Sequence, residues 1–375
     1  MKFSSCAKAL SIVIAFIAIY LGITWEHATT PFSANATLAE LITISLNGQD
    51  HFVCIRTQAP ILHYEQSYAY PPILLILHGG PGASDLPYIH KTDETLEEHF
   101  LVVHYDQRSA GKSCRFYQNS TTTDNSSSPS LTIQMHIDDA LSLILYLRER
   151  FRQDKIYLLG GSWGSVLALL LAKQYPQYIH HVATRGLVVT TAESERQSYS
   201  YVLSQLPELR SVVPKPPPYG KDRVDDMILQ RKWLTRAGGQ SYQCRIQGCS
   251  RFTLQYRITK AVITSPEMSW GDVARFKRCF LSTLRTMWAE VEQYDAYTQV
   301  PQLVVPLLVL HGKYDYCTVH TLVEDYVKFV AAPQKKLVWF WKSGHSPHSE
   351  ESELFQKTIV QEFLGRENAN AASVV

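Results

Sequence analysis

Three side chains far apart in the sequence could together make a hydroxyl reactive. They are Ser162 in Gly160-Gly161-Ser162-Trp163-Gly164, Asp315 in His311-Gly312-Lys313-Tyr314-Asp315, and His345 in Ser343-Gly344-His345. A serine hydroxyl is a poor nucleophile until a base takes its proton, and that base needs an acid to fix its tautomer and stabilise the imidazolium. The pattern G-x-S-x-G suits a serine on a strand-to-helix turn so sharp that φ is forced above zero, with small residues on either side to avoid collision across the turn. Oγ is then exposed, and the helix that follows turns its N–H groups and positive dipole end toward it. His348 is a rival base, and Asp295 in Gln293-Tyr294-Asp295 is a rival acid that does not follow a strand end. His345 and His348 lack a third ligand at convincing spacing, so no metal is implied, and nothing calls for an organic cofactor.

The oxyanion formed by such an attack needs converging donors. His78-Gly79-Gly80-Pro81-Gly82 supplies them, because three glycines let backbone N–H groups point into one small space while Pro81 stiffens the loop. The Trp163 amide, with Gly79 or Gly80, would form the oxyanion hole. In Asp106-Gln107-Arg108-Ser109-Ala110-Gly111-Lys112-Ser113, the Asp and Arg could pair to brace the neighbouring loops.

All these loops must be held at one edge of a scaffold, and the rest of the chain supplies one. Leu41 to Leu46 and His51 to Arg56 flank Asn47-Gly48, a hairpin signal. Short apolar runs at Pro72 to Leu77, Phe100 to Tyr105, Lys155 to Leu159 and Ile179 to Thr184 predict strands buried on both faces, each ending in a loop. Leu131 to Phe151 and Ser165 to Tyr175 carry apolar residues at helical spacing, giving the β-α-β alternation of a parallel sheet. From about Val188 to Val300 the alternation stops and the chain turns helical, as an inserted subdomain would. It then resumes with Pro306 to Leu310, a helix from His320 to Val330, Lys336 to Trp341, and a helix from Glu351 to Phe363. Trp233, Trp270 and Trp288 would pack the insertion onto the sheet, or line a pocket beneath it.

Composition bounds the remainder. The chain has 375 residues, 45% hydrophobic, and its 36 Lys+Arg against 34 Asp+Glu leave +2 without a basic stripe, which argues against nucleic acid as a partner. Nothing between Lys8 and Glu26 is charged, and the 17 residues from Ala9 to Trp25 are almost all apolar. With Lys2 and Lys8 ahead of the run, the reading is a membrane anchor with the rest of the chain on the extracytoplasmic side, or a signal segment cleaved to give a secreted or periplasmic protein. Six cysteines follow it; Cys244 and Cys249 are close enough to close a short loop, and the others read equally as buried thiols.

Taken together, His78-Gly79-Gly80-Pro81-Gly82, Asp106-Gln107-Arg108, Gly160-Gly161-Ser162-Trp163-Gly164-Ser165 and Arg185-Gly186 resemble the prolyl aminopeptidase (proline iminopeptidase) branch of the α/β-hydrolases, over roughly Leu41 to Gly365. The resemblance implies an α/β fold with a mostly parallel eight-stranded sheet flanked by helices and an inserted helical cap. It divides the chain into the N-terminal segment 1–36, core 37–187, cap 188–300 and core 301–375. It implies Ser162, Asp315 and His345 as the triad, with Gly79, Gly80 and Trp163 at the oxyanion. Relatives use cap glutamates to hold a substrate's free amino group, and Glu193, Glu195, Glu290 and Glu292 lie in suitable regions. The implied activity is amide or peptide hydrolysis at an N-terminal, proline-type residue of a small peptide through an acyl-enzyme. A carboxylic ester hydrolase is the alternative, and a catalytically idle binding ectodomain a third reading. The sequence leaves the oligomeric state open.

Overall fold

The computed structural model describes residues 37–64, 67–120 and 131–365. Strands Leu38–Leu46 (β1) and Gln49–Thr57 (β2) pair antiparallel about Asn47 and Gly48, whose φ values of 48° and 73° are those of the tight turn that Asn-Gly favours. A small hairpin, Leu62–Tyr64 (β3) with Ser67–Ala69 (β4), stands apart from the main sheet. The other strands are Ile73–Leu77 (β5), Leu101–Tyr105 (β6), Ile156–Gly161 (β7), Ile179–Arg185 (β8), Leu307–Gly312 (β9) and Lys335–Phe340 (β10). They form one eight-stranded sheet in the order β1-β2-β6-β5-β7-β8-β9-β10. From β6 to β10 all neighbours run parallel, so their C-terminal ends share one edge.

Every residue of β5, β6 and β9 is buried, as continuous apolar strands require when both faces are covered. One face carries helices Ile133–Phe151 and Trp163–Gln174 and holds Leu143, Leu147, Val166 and Leu169. The opposite face is closed by the helix Ser352–Leu364 through Phe355, Ile359 and Phe363. Truncating a fully buried anchor such as Phe355 to Ala would cost about 3–5 kcal/mol.

Between β8 and β9 the chain is helical, with Thr191–Gln205, Val224–Arg236, Tyr242–Gln247, Thr253–Thr264 and Trp270–Val291. The last of these, named α1 here, starts in a capping box formed by Ser269 and Asp272. It is fixed to the core along its length. Cys279 forms a disulfide with Cys114 across a separation of 165 residues, Lys112 pairs with Asp272, and Thr283 donates to the Ser109 carbonyl at 3.0 Å. Trp233 and Trp288 are buried as packing residues, whereas Trp270 is 54% exposed and takes no part in that packing.

Of the cysteines that the sequence leaves open, Cys114 and Cys279 form a disulfide, alongside the Cys244–Cys249 bridge that the short spacing suggested. One expectation needs correction. Arg108 does not pair with Asp106. It makes a bidentate pair with Asp139 at 2.9 and 2.7 Å, while Asp106 accepts the Lys112 backbone N–H at 2.7 Å. The fork geometry of a guanidinium suits Asp139, which the helix Ile133–Phe151 brings to it from 31 residues away. The anchor or signal reading concerns residues 1–36, which lie outside the described residues. Among the described residues no helix is long and apolar enough to cross a membrane.

Candidate active site

Ser162 occupies the turn between β7 and the helix Trp163–Gln174, at φ 52° and ψ −119°. An L-residue adopts that conformation only where its surroundings enforce it. Its N–H donates to the Arg185 carbonyl at 2.8 Å, and its own carbonyl accepts from Ser165 Oγ at 2.6 Å. A Cβ on Gly164 would stand 2.0 Å from the Leu77 carbonyl oxygen, and one on Gly160 would stand 2.3 Å from the Gly164 carbonyl oxygen. Both obstacles are backbone, so neither position has room for a larger residue. The flanking glycines are therefore a steric condition of the turn.

The base and the acid arrive from the loops after β10 and β9. His345 Nε2 lies 3.0 Å from Ser162 Oγ, and His345 Nδ1 lies 2.8 Å from Asp315 Oδ2. Asp315 is fully buried and saturated. Oδ1 accepts the N–H groups of Cys317 and Thr318 at 2.7 and 3.0 Å, and Oδ2 accepts the Thr318 hydroxyl at 2.7 Å. Burial alone would raise its pKa. The adjacent His345, His311 and Thr318 overcome that and hold the carboxyl well below the ordinary aspartate range. The group is thus a fixed anion, and Nδ1 of His345 carries the proton that meets it.

The helical insertion grips both loops. The Gln240 carbonyl accepts the His345 N–H at 2.9 Å, and the Gly239 carbonyl accepts the Tyr316 N–H at 2.8 Å. Glu350 links the same parts, taking the Gly344 N–H and the Ser241 hydroxyl at 2.7 Å each. The rivals lie elsewhere. His348 is half-buried against Phe355, desolvation drawing its pKa well below the usual value, and Asp295 caps a short helix by accepting the Tyr297 N–H at 3.1 Å.

The glycine loop lies directly against the serine. A Cβ placed on Gly79 would be 3.4 Å from Ser162 Cβ and 4.0 Å from its Oγ. The Trp163 amide opens the helix that starts directly after Ser162. The serine, histidine and aspartate are arranged to deprotonate a hydroxyl.

Residues 72–217 match the family profile described as the alpha/beta hydrolase fold. The chain is 30% identical over 301 residues to the probable aminopeptidase YbaC of Bacillus subtilis, covering 77% of this chain and 87% of that protein. The chain belongs to the α/β-hydrolases, on their proline iminopeptidase-like branch. It is also 26% identical over 298 residues to the proline iminopeptidase of Saccharolobus solfataricus, covering 78% of this chain and 84% of that one. Among solved structures, the proline iminopeptidase of Mycobacterium smegmatis superposes with a TM-score of 0.58 at 16% identity, over 87% of this chain and 98% of the other.

In this α/β-hydrolase the four glutamates of the insertion have different partners. Glu193 pairs with Arg196 on the protein surface, and Glu290 accepts the Ile133 N–H at 3.0 Å at the start of a core helix. Glu292 accepts the backbone N–H groups of Tyr219 and Gly220 at 2.7 Å each. Glu195 is 1% exposed and pairs closely with Arg231 through Oε1, while its buried Oε2 accepts no hydrogen bond. Burial pushes its pKa up against the pull of Arg231. Of the four, Glu195 alone keeps a buried carboxylate oxygen without a hydrogen bond.

Thr318, Gln240 and Glu350 also contact the loops of the site, and Gln240 and Glu350 stand in no pattern that singles them out. Thr318, at least, follows Asp315 at the spacing where a hydroxyl and an N–H can turn back onto the carboxylate.

Proposed function

We propose that this hydrolase is a serine peptidase acting through an acyl-enzyme, with Ser162 as nucleophile, His345 as general base and acid, and Asp315 as the group that orients it. The observation that carries this reading is the continuous chain from Ser162 Oγ to His345 Nε2 at 3.0 Å and from His345 Nδ1 to Asp315 Oδ2 at 2.8 Å. His345 takes the hydroxyl proton as Oγ attacks the carbonyl carbon. The oxyanion that forms is held by the Trp163 amide and those of Gly79 or Gly80. The imidazolium then protonates the leaving amine, the C–N bond breaks, and water activated by the same histidine releases the acid.

The substrate is a small peptide or amide with a free, proline-type N-terminus. Curated relatives bearing aminopeptidase names support this, and so does Glu195, whose buried Oε2 lacks a partner within a cluster that includes Arg231 and Glu292, a place that an ammonium would complete. The insertion over residues 188–300 acts as a cap that delivers those carboxylates. Two disulfides favour an oxidising compartment, in keeping with export directed by residues 1–36. A paired assay of proline-naphthylamide against short acyl esters tests the reading. Preferred turnover of the amide supports an aminopeptidase, whereas rapid ester turnover with the amide ignored makes the protein a carboxylic ester hydrolase.

A further inference from the structure

We infer that Gln107 is the positioning residue of the oxyanion loop, setting the direction of the Gly79 and Gly80 amides through the carbonyls of the same peptide units. The inference rests on the serine-hydrolase reading above.

Three contacts converge on this one side chain and its own backbone, at 1% exposure. Gln107 Nε2 donates to the His78 carbonyl at 2.9 Å, and Gln107 Oε1 accepts the indole N–H of Trp163 at 2.9 Å. The Gln107 backbone N–H donates to His78 Nε2 at 3.0 Å. The amide orientation follows from the partners, because a carbonyl can only accept and an indole N–H can only donate.

In a trans peptide unit the C=O and the N–H point in opposite directions. Gln107 Nε2 clamps the carbonyl of the unit joining His78 to Gly79, which fixes where the Gly79 N–H points. The next unit is fixed at one remove. Since His78 Nε2 accepts a hydrogen bond, its proton sits on Nδ1, which donates to the Gly79 carbonyl at 2.8 Å. The Gly80 N–H is thereby directed too. Burial keeps the imidazole neutral, drawing its pKa down to about 4, so this tautomer persists at working pH. The third contact holds the ring of Trp163, whose own amide is the donor on the other side of Ser162. One side chain therefore aligns both walls of the space that receives the oxyanion.

Only glutamine at this position offers a donor and an acceptor at that reach. Glutamate would set an acceptor against the His78 carbonyl, and methionine would fill the volume while bonding to neither partner.

The test compares Gln107→Met and Gln107→Glu with the wild-type full chain in three measurements: the rate of fluorophosphonate labelling, kcat and KM on whichever of the naphthylamide or ester is turned over, and thermal unfolding. The phosphoryl oxygen of the probe occupies the oxyanion position, so labelling reports on the loop without depending on substrate identity. Both variants are expected to label about ten- to hundredfold more slowly, with kcat falling by a similar factor, KM within about twofold, and a cooperative thermal transition retained. Labelling at the wild-type rate in either variant, or a rise in KM at constant kcat, overturns the positioning role. Failure of the wild-type chain to label, or labelling that survives Ser162→Ala, overturns the serine-hydrolase reading instead.

Discussion

Lys112 Nζ lies 2.7 Å from Asp272 Oδ2, with neither side chain exposed to solvent. The contact joins the loop after β6 to the first turn of α1. Lys112 also donates to the Glu267 carbonyl at 3.0 Å, and the second Asp272 oxygen takes Arg115 and Arg275 at 3.1 and 2.8 Å. Two charges removed from water persist only when both are fully paired. The same loop carries Gln107, so the anchor of the insertion and the support of the oxyanion loop share one segment.

Replacing Lys112 by Met should therefore destabilise the protein by about 3–5 kcal/mol, since it leaves Asp272 buried without its closest cation. The midpoint of urea unfolding measures this. A change below about 0.5 kcal/mol would mean that Arg115 and Arg275 suffice by themselves.

Acid should act on the same anchor. Burial raises the Asp272 pKa, but Lys112, Ser269 and Arg115 outweigh it and lower the value to about 2. The unfolded chain binds this proton near its ordinary pKa of about 3.9, so the carboxylate contributes stability above that pH and loses it as pH falls toward 2. Urea midpoints taken from pH 5 down to 2 should fall through that window. The fall should be shallower in Asp272→Asn.

Much of the fold could be read from short-range signals. Asn47-Gly48 needs only its neighbours to make a turn, and the glycines around Ser162 are dictated by backbone atoms a few residues away or one strand across. Asp315 and His345 were legible because they follow apolar strands whose ends share an edge. What was not legible depends on distant partners. Arg108 chose Asp139 over nearby Asp106, Cys114 found Cys279, and Glu290 and Glu292 were taken up by backbone N–H groups in other segments. Gln107 carries no signal of a role in its motif, because its purpose exists only once His78 and Trp163 have been folded to either side of it.

The buried, unpartnered oxygen of Glu195 predicts a selective defect. Glu195→Gln should lower kcat/KM on a substrate with a free N-terminal amine by about ten- to a hundredfold, the worth of a charge-assisted hydrogen bond, and leave an N-acylated ester within about twofold. Equal losses on both substrates would assign Glu195 to support of Arg231 rather than to recognition of an amine.

Asp315→Asn should preserve the geometry but remove the anion that fixes the His345 tautomer, lowering kcat by about 10⁴-fold. Because His345, His311 and Thr318 together hold the Asp315 carboxyl well below its ordinary range, its ionisation contributes no inflection to the wild-type rate profile between about pH 5 and 9. Steady-state rates across that interval check both statements.

Mass spectrometry of the protein after reaction with a fluorophosphonate tests the proposed chemistry most directly. The account predicts one adduct, on the peptide bearing Ser162, which disappears in Ser162→Ala and forms far more slowly in His345→Ala. An adduct elsewhere, or a folded protein that takes up no label, would contradict it.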